Sequence, residues 1–355
     1  MIKVNLLTES RADYGIYYPL IKAFLSDSHF YLRILVTGMH LDVRHGFTVE
    51  NLNADFEVAR VISCVNVQRL IQKYPADWLI VLGDRRPMLE ATIEAVYRNI
   101  PVAHIQGGDR TETIDESARH AITRFAHLHF PTTKSSARRL IKMGEESWRI
   151  KVVGALGIYA MPVINVIDKA ELCQQLGLDA IQPIVLVIQH PVSTQIDKAG
   201  EQMQATLNAV KGWQTVVIYP NNDPGSEEMI KVIKQSSWVE SFANLPYIQF
   251  ISLLRCASVV VGNSSSGIVE APLFGVPAVN IGNRQGLREQ AGNVVNCSDA
   301  TNAAVIREAI KKALEGQGLT HINPYQANPD GVKIILDTLA NTPVDERLLQ
   351  KRIVY

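Results

Sequence analysis

The feature that most constrains this chain is a recurring short, continuous apolar run, rich in β-branched residues and followed by a segment with helical spacing. IKVNLL from Ile2, LRILV from Leu32, WLIVL from Trp78, PVAHI from Pro101, HLHF from His127 and IKVV from Ile150 form one series. PIVLVI from Pro183, TVVIY from Thr215, SVVVG from Ser258 and VPAVNI from Val276 form a second. A run that is apolar at every position belongs to a strand covered on both faces, and the helices between such runs supply the crossovers that parallel strands need. The predicted class is therefore α/β, with two lobes, each an open parallel sheet, facing a central cleft. The expected lobes are residues 1–165 and 180–338, because IYAMPVINVIDKAELCQQLGLDAIQ loses strand character and reads as a linker with one helix. The tail 340–355, with VDERLLQKRIVY as a helix, is expected to return to the first lobe.

With 355 residues, the chain is too long for one core, and two cores fit its length. Lys plus Arg and Asp plus Glu are both 35, so no net field draws the protein to nucleic acid or to an anionic membrane, and any anion must be held by local groups. The start, MIKVNLLTES, fits neither a signal peptide nor a spanning helix, and no later segment is long and apolar enough to span. The four cysteines, Cys64, Cys173, Cys256 and Cys297, have no CxxC spacing and suit reduced, buried thiols in a cytoplasmic protein.

In open parallel sheets, ligands bind beyond the carboxyl ends of the strands, and the unusual polar residues of this chain fall there. After SVVVG come Asn263, Ser264, Ser265, Ser266 and Gly267, leading into a helix expected to begin near Ile268. Small residues and hydroxyls at such a point suit a diphosphate, and Glu270, about a turn inside, can accept from both hydroxyls of a ribose. A serine cap with no ligand is the alternative. TESRADYG after the first strand offers Arg11 to a phosphate with Asp13 near enough to orient it; a surface pair at a helix start is the alternative. GDRRP places Asp84 at a strand end, as a catalytic carboxylate or as a helix cap. AHIQGGDRTETIDESARHAIT adds Gln106, Asp109, Asp115 and Arg119. Acidic groups converging with Asp84 are what removal of a carbon-bound proton requires. His190 in QHPVST, Asn221 in YPNNDPGS and Arg284 in IGNRQGLRE close the set. His104, His120, His127 and His129 raise a metal site, but with neither HExxH nor a cysteine partner, satisfied core histidines are expected, and no metal or cofactor.

Taken in order, SRADYG, GDR, GGD with TIDESxRHAIT and HLHF, HP, PNND, GNSSSGIVEAPLFGVP and NIGNRQ resemble the hydrolysing UDP-N-acetylglucosamine 2-epimerases of sialic- and legionaminic-acid biosynthesis. The resemblance runs from about Thr8 to Arg288 and implies two Rossmann-like lobes of the glycosyltransferase-B type. It implies an enzyme that turns a UDP-linked 2-acetamido sugar and water into UDP and the free 2-epimerised sugar, N-acetylmannosamine in the simplest case, through a glycal. It also implies that Arg11, His190, Ser264 and Ser265 hold the diphosphate and Glu270 the ribose. Asp84, Asp109 and Asp115 become candidates for acid and base, with Asp13, Arg119 and Arg284 in support, and the protein is expected to form a homodimer or homotetramer. Three departures stand out. Gln106 takes a place usually filled by Glu or His, Asp109 stands where Glu is usual, and TES replaces a TGT-like run and so adds Glu9. Either the sugar differs, for example a 2,4-diacetamido-trideoxy hexose, or catalysis leans on Asp84 and Asp115; the nucleotide, UDP or GDP, is left open. A non-hydrolysing 2-epimerase, a glycosyltransferase of the same architecture and a non-catalytic sugar-nucleotide sensor are the alternatives.

Overall fold

The apolar runs become two six-stranded sheets, parallel throughout. The first contains β1 (Ile2–Thr8), β2 (Phe30–Val36), β3 (Arg60–Ser63), β4 (Trp78–Leu82), β5 (Val102–Ile105) and β6 (Leu128–Phe130), in the order β3-β2-β1-β4-β5-β6. The second contains β7 (Ile184–Ile188), β8 (Gln214–Ile218), β9 (Glu240–Phe242), β10 (Val259–Gly262), β11 (Ala278–Ile281) and β12 (Val294–Cys297), in the order β12-β11-β10-β7-β8-β9. Read from its own first strand, each sheet has the same winding, which reverses once, between β1 and β4 and between β7 and β10. At such a reversal the two flanking crossovers leave to opposite sides, opening a crevice at the strand ends.

The computed structural model describes residues 1–56, 60–111, 114–160, 166–316, 322–326 and 328–354. Glu112 and Thr113 of the TETIDES motif, residues 161–165 of the expected linker and Tyr355 lie outside the described residues. The chain divides into two units: Met1–Arg110, Ile114–Pro162 and Tyr325–Tyr355 in one, Thr111–Thr113 and Val163–Pro324 in the other. The helix Gly331–Asn341 and the turn Glu346–Leu349 thus belong to the first unit, beside an expectation that closed the second lobe at 338.

Alternation explains the all-apolar strands. In β7, Val185 and Val187 join Val217, Val259 and Val261 on one face, under Met203, Met229 and Ile310 from the covering helices. Ile184, Leu186 and Ile188 point the other way, onto Leu172, Leu253 and Leu254. In the first sheet, Leu7, Leu35, Leu79 and Val81 meet Leu70, Met88, Ala91 and Ile122. Fully burying one such side chain contributes roughly 1.5–3 kcal/mol, so the two-faced strands are the main apolar stabilisation of both units.

Two sets of expectations need correction. IKVV from Ile150 is not a strand; it makes a single bridge, Ile150 to His129, before the chain turns at Gly154 with φ of +73°. Conversely, β3, β9 and β12 were absent from the expected runs. All three are sheet edges, half open to solvent, and Glu240 and Asn296 lie on exposed positions of β9 and β12. An edge strand lacks a neighbour on one side and can lie partly open to solvent, as these three do, so it need not carry a continuous apolar run, although β6, the other edge, does lie buried.

Candidate active site

In the first unit the residues beyond β1 and β4 lie at the reversal of the sheet. The register Val4–Trp78 to Leu6–Ile80 brings the Glu9–Asp13 segment beside Gly83–Arg85. Asp84 pairs through Oδ2 with Nη2 of Arg119, whose side chain is almost wholly buried. The same guanidinium donates from Nη1 to the backbone oxygen of Asp109 at 2.8 Å. One planar fork therefore ties the loop after β4 to the loop after β5, which a point-like ammonium cannot do. The helix Arg86–Val96 has Arg85, not Asp84, at its cap, and the Arg85 side chain makes no cap bond.

The loop after β5 begins at Gln106, which sits in the left-handed region at φ +64° with its N–H donating to Phe130 O at 3.0 Å. For a residue with a Cβ that conformation costs of order 1–3 kcal/mol, and such strain concentrates where a loop must aim particular groups. Asp109 then turns inward. Its Oδ1 accepts from Ser136 Oγ at 2.7 Å and from Thr132 Oγ1 at 3.0 Å, in a buried setting. Asp115 opens the helix Asp115–Phe125, one turn before Arg119 and on the same helical face.

Asp13 also closes the start of the first helix. Its carboxylate accepts from the backbone N–H of Glu9 at 2.9 Å and of Ser10 at 3.2 Å, completing a capping box for the helix Arg11–Ser26. Burial raises its pKa, with Arg85 and those N–H groups opposing. Arg11 is pulled down to about 10 by burial and then by Arg85, and stays charged near neutrality. Glu9, the departure in the opening motif, is buried and forms an ion pair with Nη1 of Arg85 at 2.8 Å. The pairing itself was not legible beforehand, because 76 positions separate the two residues and only the sheet order joins them.

In the second unit, His190 follows β7 and Asn263 follows β10. Asn263 Oδ1 accepts from the N–H of His190 at 2.7 Å, and Asn263 Nδ2 donates to the carbonyl of His190 at 2.9 Å. The N–H of Asn221, after β8, donates to His190 Nδ1 at 3.1 Å. Because Nδ1 accepts, the neutral ring carries its proton on Nε2 and presents a donor. Gly262 permits the closeness of the two strand ends: its φ is +138°, and a Cβ there would meet Ile188 O at 2.1 Å.

The helix in this segment starts at Ser266, not near Ile268, and lasts four residues to Val269; Glu270 joins it to a second short turn, Ala271–Phe274. Pro272 lacks the N–H that would continue the first turn, so the helix dipole is small and the local donors matter more. Ser264 Oγ accepts from the N–H of Ser266 at 3.3 Å, and the loop is braced from outside. Arg284 Nη1 donates to Asn263 O at 3.2 Å, and Asn293 Nδ2 donates to Gly267 O at 3.0 Å and to Val276 O at 2.8 Å. Burial raises the pKa of Glu270 to about 7, opposed by backbone contact, Arg288 and Ser266, and its Oε2 is recessed without a protein partner. Asn221 is itself held, its Nδ2 donating to Asp223 Oδ2 at 2.6 Å.

Among the described residues, no group of three or more His, Cys, Asp or Glu side chains is arranged to hold a metal ion. His127 Nδ1 accepts from the N–H of Val102 at 3.0 Å, and His129 Nε2 contacts the buried carboxylate of Glu145 at 2.9 Å. Among the described residues, no helix is long and apolar enough to cross a membrane.

Residues 22–339 match the family model described as UDP-N-acetylglucosamine 2-epimerase. The chain is 36% identical to a UDP-N,N'-diacetylbacillosamine 2-epimerase (hydrolyzing) of Legionella pneumophila, with 99% of each chain covered. It is 28% identical to a UDP-N-acetylglucosamine 2-epimerase of Neisseria meningitidis, with 88% of each covered. Among solved structures, the UDP-GlcNAc 2-epimerase from Neisseria meningitidis bound to UDP-GlcNAc shares the fold, with a TM-score of 0.78 at 18% identity, covering 96% of this chain and all of that one.

Proposed function

Because the chain belongs to the UDP-N-acetylglucosamine 2-epimerase family, we propose that it is the hydrolysing kind, converting a UDP-linked 2-acetamido sugar and water into UDP and the free 2-epimerised sugar. The observation that carries this reading is the set around His190. Two amide bonds from Asn263 hold its backbone at the reversal of the second sheet, and the Asn221 N–H donating to Nδ1 leaves Nε2–H as the donor of the neutral ring, on the loop that shares this reversal with Ser264, Ser265, Ser266 and Gly267. Donors fixed beforehand are what a departing diphosphate needs, since its charge grows as the C1–O bond breaks. Arg284 braces that loop through Asn263 O, Arg11 adds a charged fork, and Glu270 accepts from the ribose hydroxyls.

A carboxylate of the first unit removes the proton from C2. The electrons form the C1–C2 double bond and expel UDP from C1. Water then adds its oxygen to C1 of the glycal, and a proton returns to C2 on the opposite face. Asp84 and Asp115 are the carboxylates proposed for these transfers, with Gln106 as a hydrogen-bonding group to the sugar. Asp109, engaged by Ser136 and Thr132, is assigned to shaping the loop first and to proton transfer only with Asp84.

The similarity to the Legionella protein favours one sugar in particular, a UDP-linked 2,4-diacetamido-2,4,6-trideoxyhexose. The test incubates the protein with that substrate, with UDP-N-acetylglucosamine and with their GDP counterparts, and identifies products by NMR. Free UDP with a free, epimerised sugar is expected. An epimerised sugar nucleotide would indicate the non-hydrolysing reaction, release only on adding an acceptor a transferase, and binding without turnover a sensor. A homo-oligomeric, cytoplasmic enzyme completes the proposal.

A further inference from the structure

His104 lies fully buried at the middle of β5 and touches all three segments that carry the proposed acid–base residues. Its Nε2 meets the carbonyl of Gly83 at 2.8 Å, directly before Asp84. A carbonyl can only accept, so Nε2 bears the proton. Nδ1 is then an acceptor, and Thr123 Oγ1, 3.2 Å away, donates to it. Thr123 lies four and eight residues after Arg119 and Asp115, on one face of the same helix. The third contact is with Gly107, in the loop that runs from Gln106 to Asp109: a Cβ there would come within 2.9 Å of His104 Nδ1 and 3.2 Å of Thr123 Oγ1. Burial, only partly offset by the Gly83 carbonyl, pulls the ring's pKa down to about 3, so it remains a neutral two-ended connector across the working range.

Resting on the proposed reaction, we infer that His104 is a positioning residue, one imidazole that fixes the Asp84, Asp109 and Asp115–Arg119 segments relative to one another. The ring touches no reacting atom. It acts by holding the peptide before Asp84 and the helix face below Arg119 to one rigid plane, and glycine at 107 is what lets the third segment close over it.

The two ends of the ring can be removed separately. His104→Gln keeps a donor near the Nε2 position, His104→Asn keeps an acceptor near Nδ1 and loses the Gly83 bond, and Thr123→Val removes only the hydroxyl. Misplacement of reacting groups by an ångström costs on the order of 100-fold in rate, so kcat for His104→Asn should fall by about that factor, with partial rescue in His104→Gln and a fall of about 3- to 10-fold in Thr123→Val. KM and the Kd for UDP should stay within about twofold in all three, since the proposed nucleotide ligands in the second sheet are untouched. Native-state hydrogen exchange on the full chain should show faster exchange in His104→Asn at residues 83–85, at 106–109 and near Thr123 together, with β7 and β10 unchanged. Wild type and variants turning over alike, with exchange unaltered, overturns the His104 assignment alone. Exchange rising only as part of global unfolding in every variant, including Thr123→Val, also overturns it. Absence of UDP release by the wild type itself would instead overturn the functional reading on which it rests.

Discussion

His190 and Asn263 hold each other by two hydrogen bonds between an amide side chain and a backbone, so that the ends of β7 and β10 move as one piece. Asn263 also donates its own N–H to Ile188 O at 3.1 Å, which places three bonds across the reversal of the second sheet. Asn263→Ala removes two of them and leaves a half-buried donor and acceptor of His190 without these partners, at up to about 1–3 kcal/mol each. UDP affinity should fall by about 10-fold or more when measured by titration calorimetry. Asn263→Asp should do worse than Asn263→Ala. It keeps an acceptor for the His190 N–H, but turns a carboxylate oxygen toward the His190 carbonyl and adds negative charge beside the diphosphate.

Asp84→Asn and Arg119→Lys probe the other pair. Losing a positioned acid or base typically costs 10²–10⁴ in rate, so kcat for Asp84→Asn should drop by at least about 100-fold with the Kd for UDP nearly unchanged. Lys at 119 keeps the charge but not the fork, so it cannot serve Asp84 and the Asp109 carbonyl together. A tenfold or greater loss of kcat is expected, by about the amount that one misaligned group produces. Full activity in Arg119→Lys would show that the link between the two loops is dispensable.

How much of this was legible follows from what each residue needs. Asn263 to Glu270, His190 and Asp84 announced themselves because a polar residue directly after an all-apolar run has only one place to be. Arg85, Thr132 and Ser136 did not, and neither did the partners of Asn263 and Glu9, since each acts through a group on another strand end and strand order is not written locally. Asp13 has a further part that proximity to Arg11 does not announce: its carboxylate accepts from the N–H groups of Glu9 and Ser10, just ahead of the helix it helps to start.

Glu9 and Gly38 should be coupled. Gly38 has φ of +58°, and a Cβ there would meet Glu9 Oε2 at 2.5 Å, so the glycine makes room for the carboxylate that holds Arg85. Gly38→Ala should destabilise the protein through both the strained backbone and the clash. Glu9→Gly should destabilise it by removing the carboxylate paired with Arg85, which stands near Arg11. In the double variant the clash is gone while the backbone strain stays, so the two effects should fall short of additive by about 0.5–3 kcal/mol, the range for residues in contact. Chemical denaturation of the four proteins measures this directly, and strict additivity would place Glu9 elsewhere.

Glu270 gives a pH dependence whose sign is fixed by the direction of its shift. Burial raises its pKa from 4.5 to about 7, so the folded protein favours the protonated form. The resulting stability is present below the unfolded pKa and is lost as the pH rises through about 7, where the folded state must carry a recessed charge. Glu270→Gln should therefore match the wild type near pH 5 and melt higher, by about 2–4 °C, at pH 8 in the absence of nucleotide. Nucleotide reverses the advantage. Ribose hydroxyls donate to the ionised carboxylate, so UDP binding at pH 6 should expel a proton, detected as a dependence of the binding enthalpy on the buffer's ionisation enthalpy, and Glu270→Gln should abolish it. A wild-type binding enthalpy independent of buffer at that pH would remove Glu270 from the ribose.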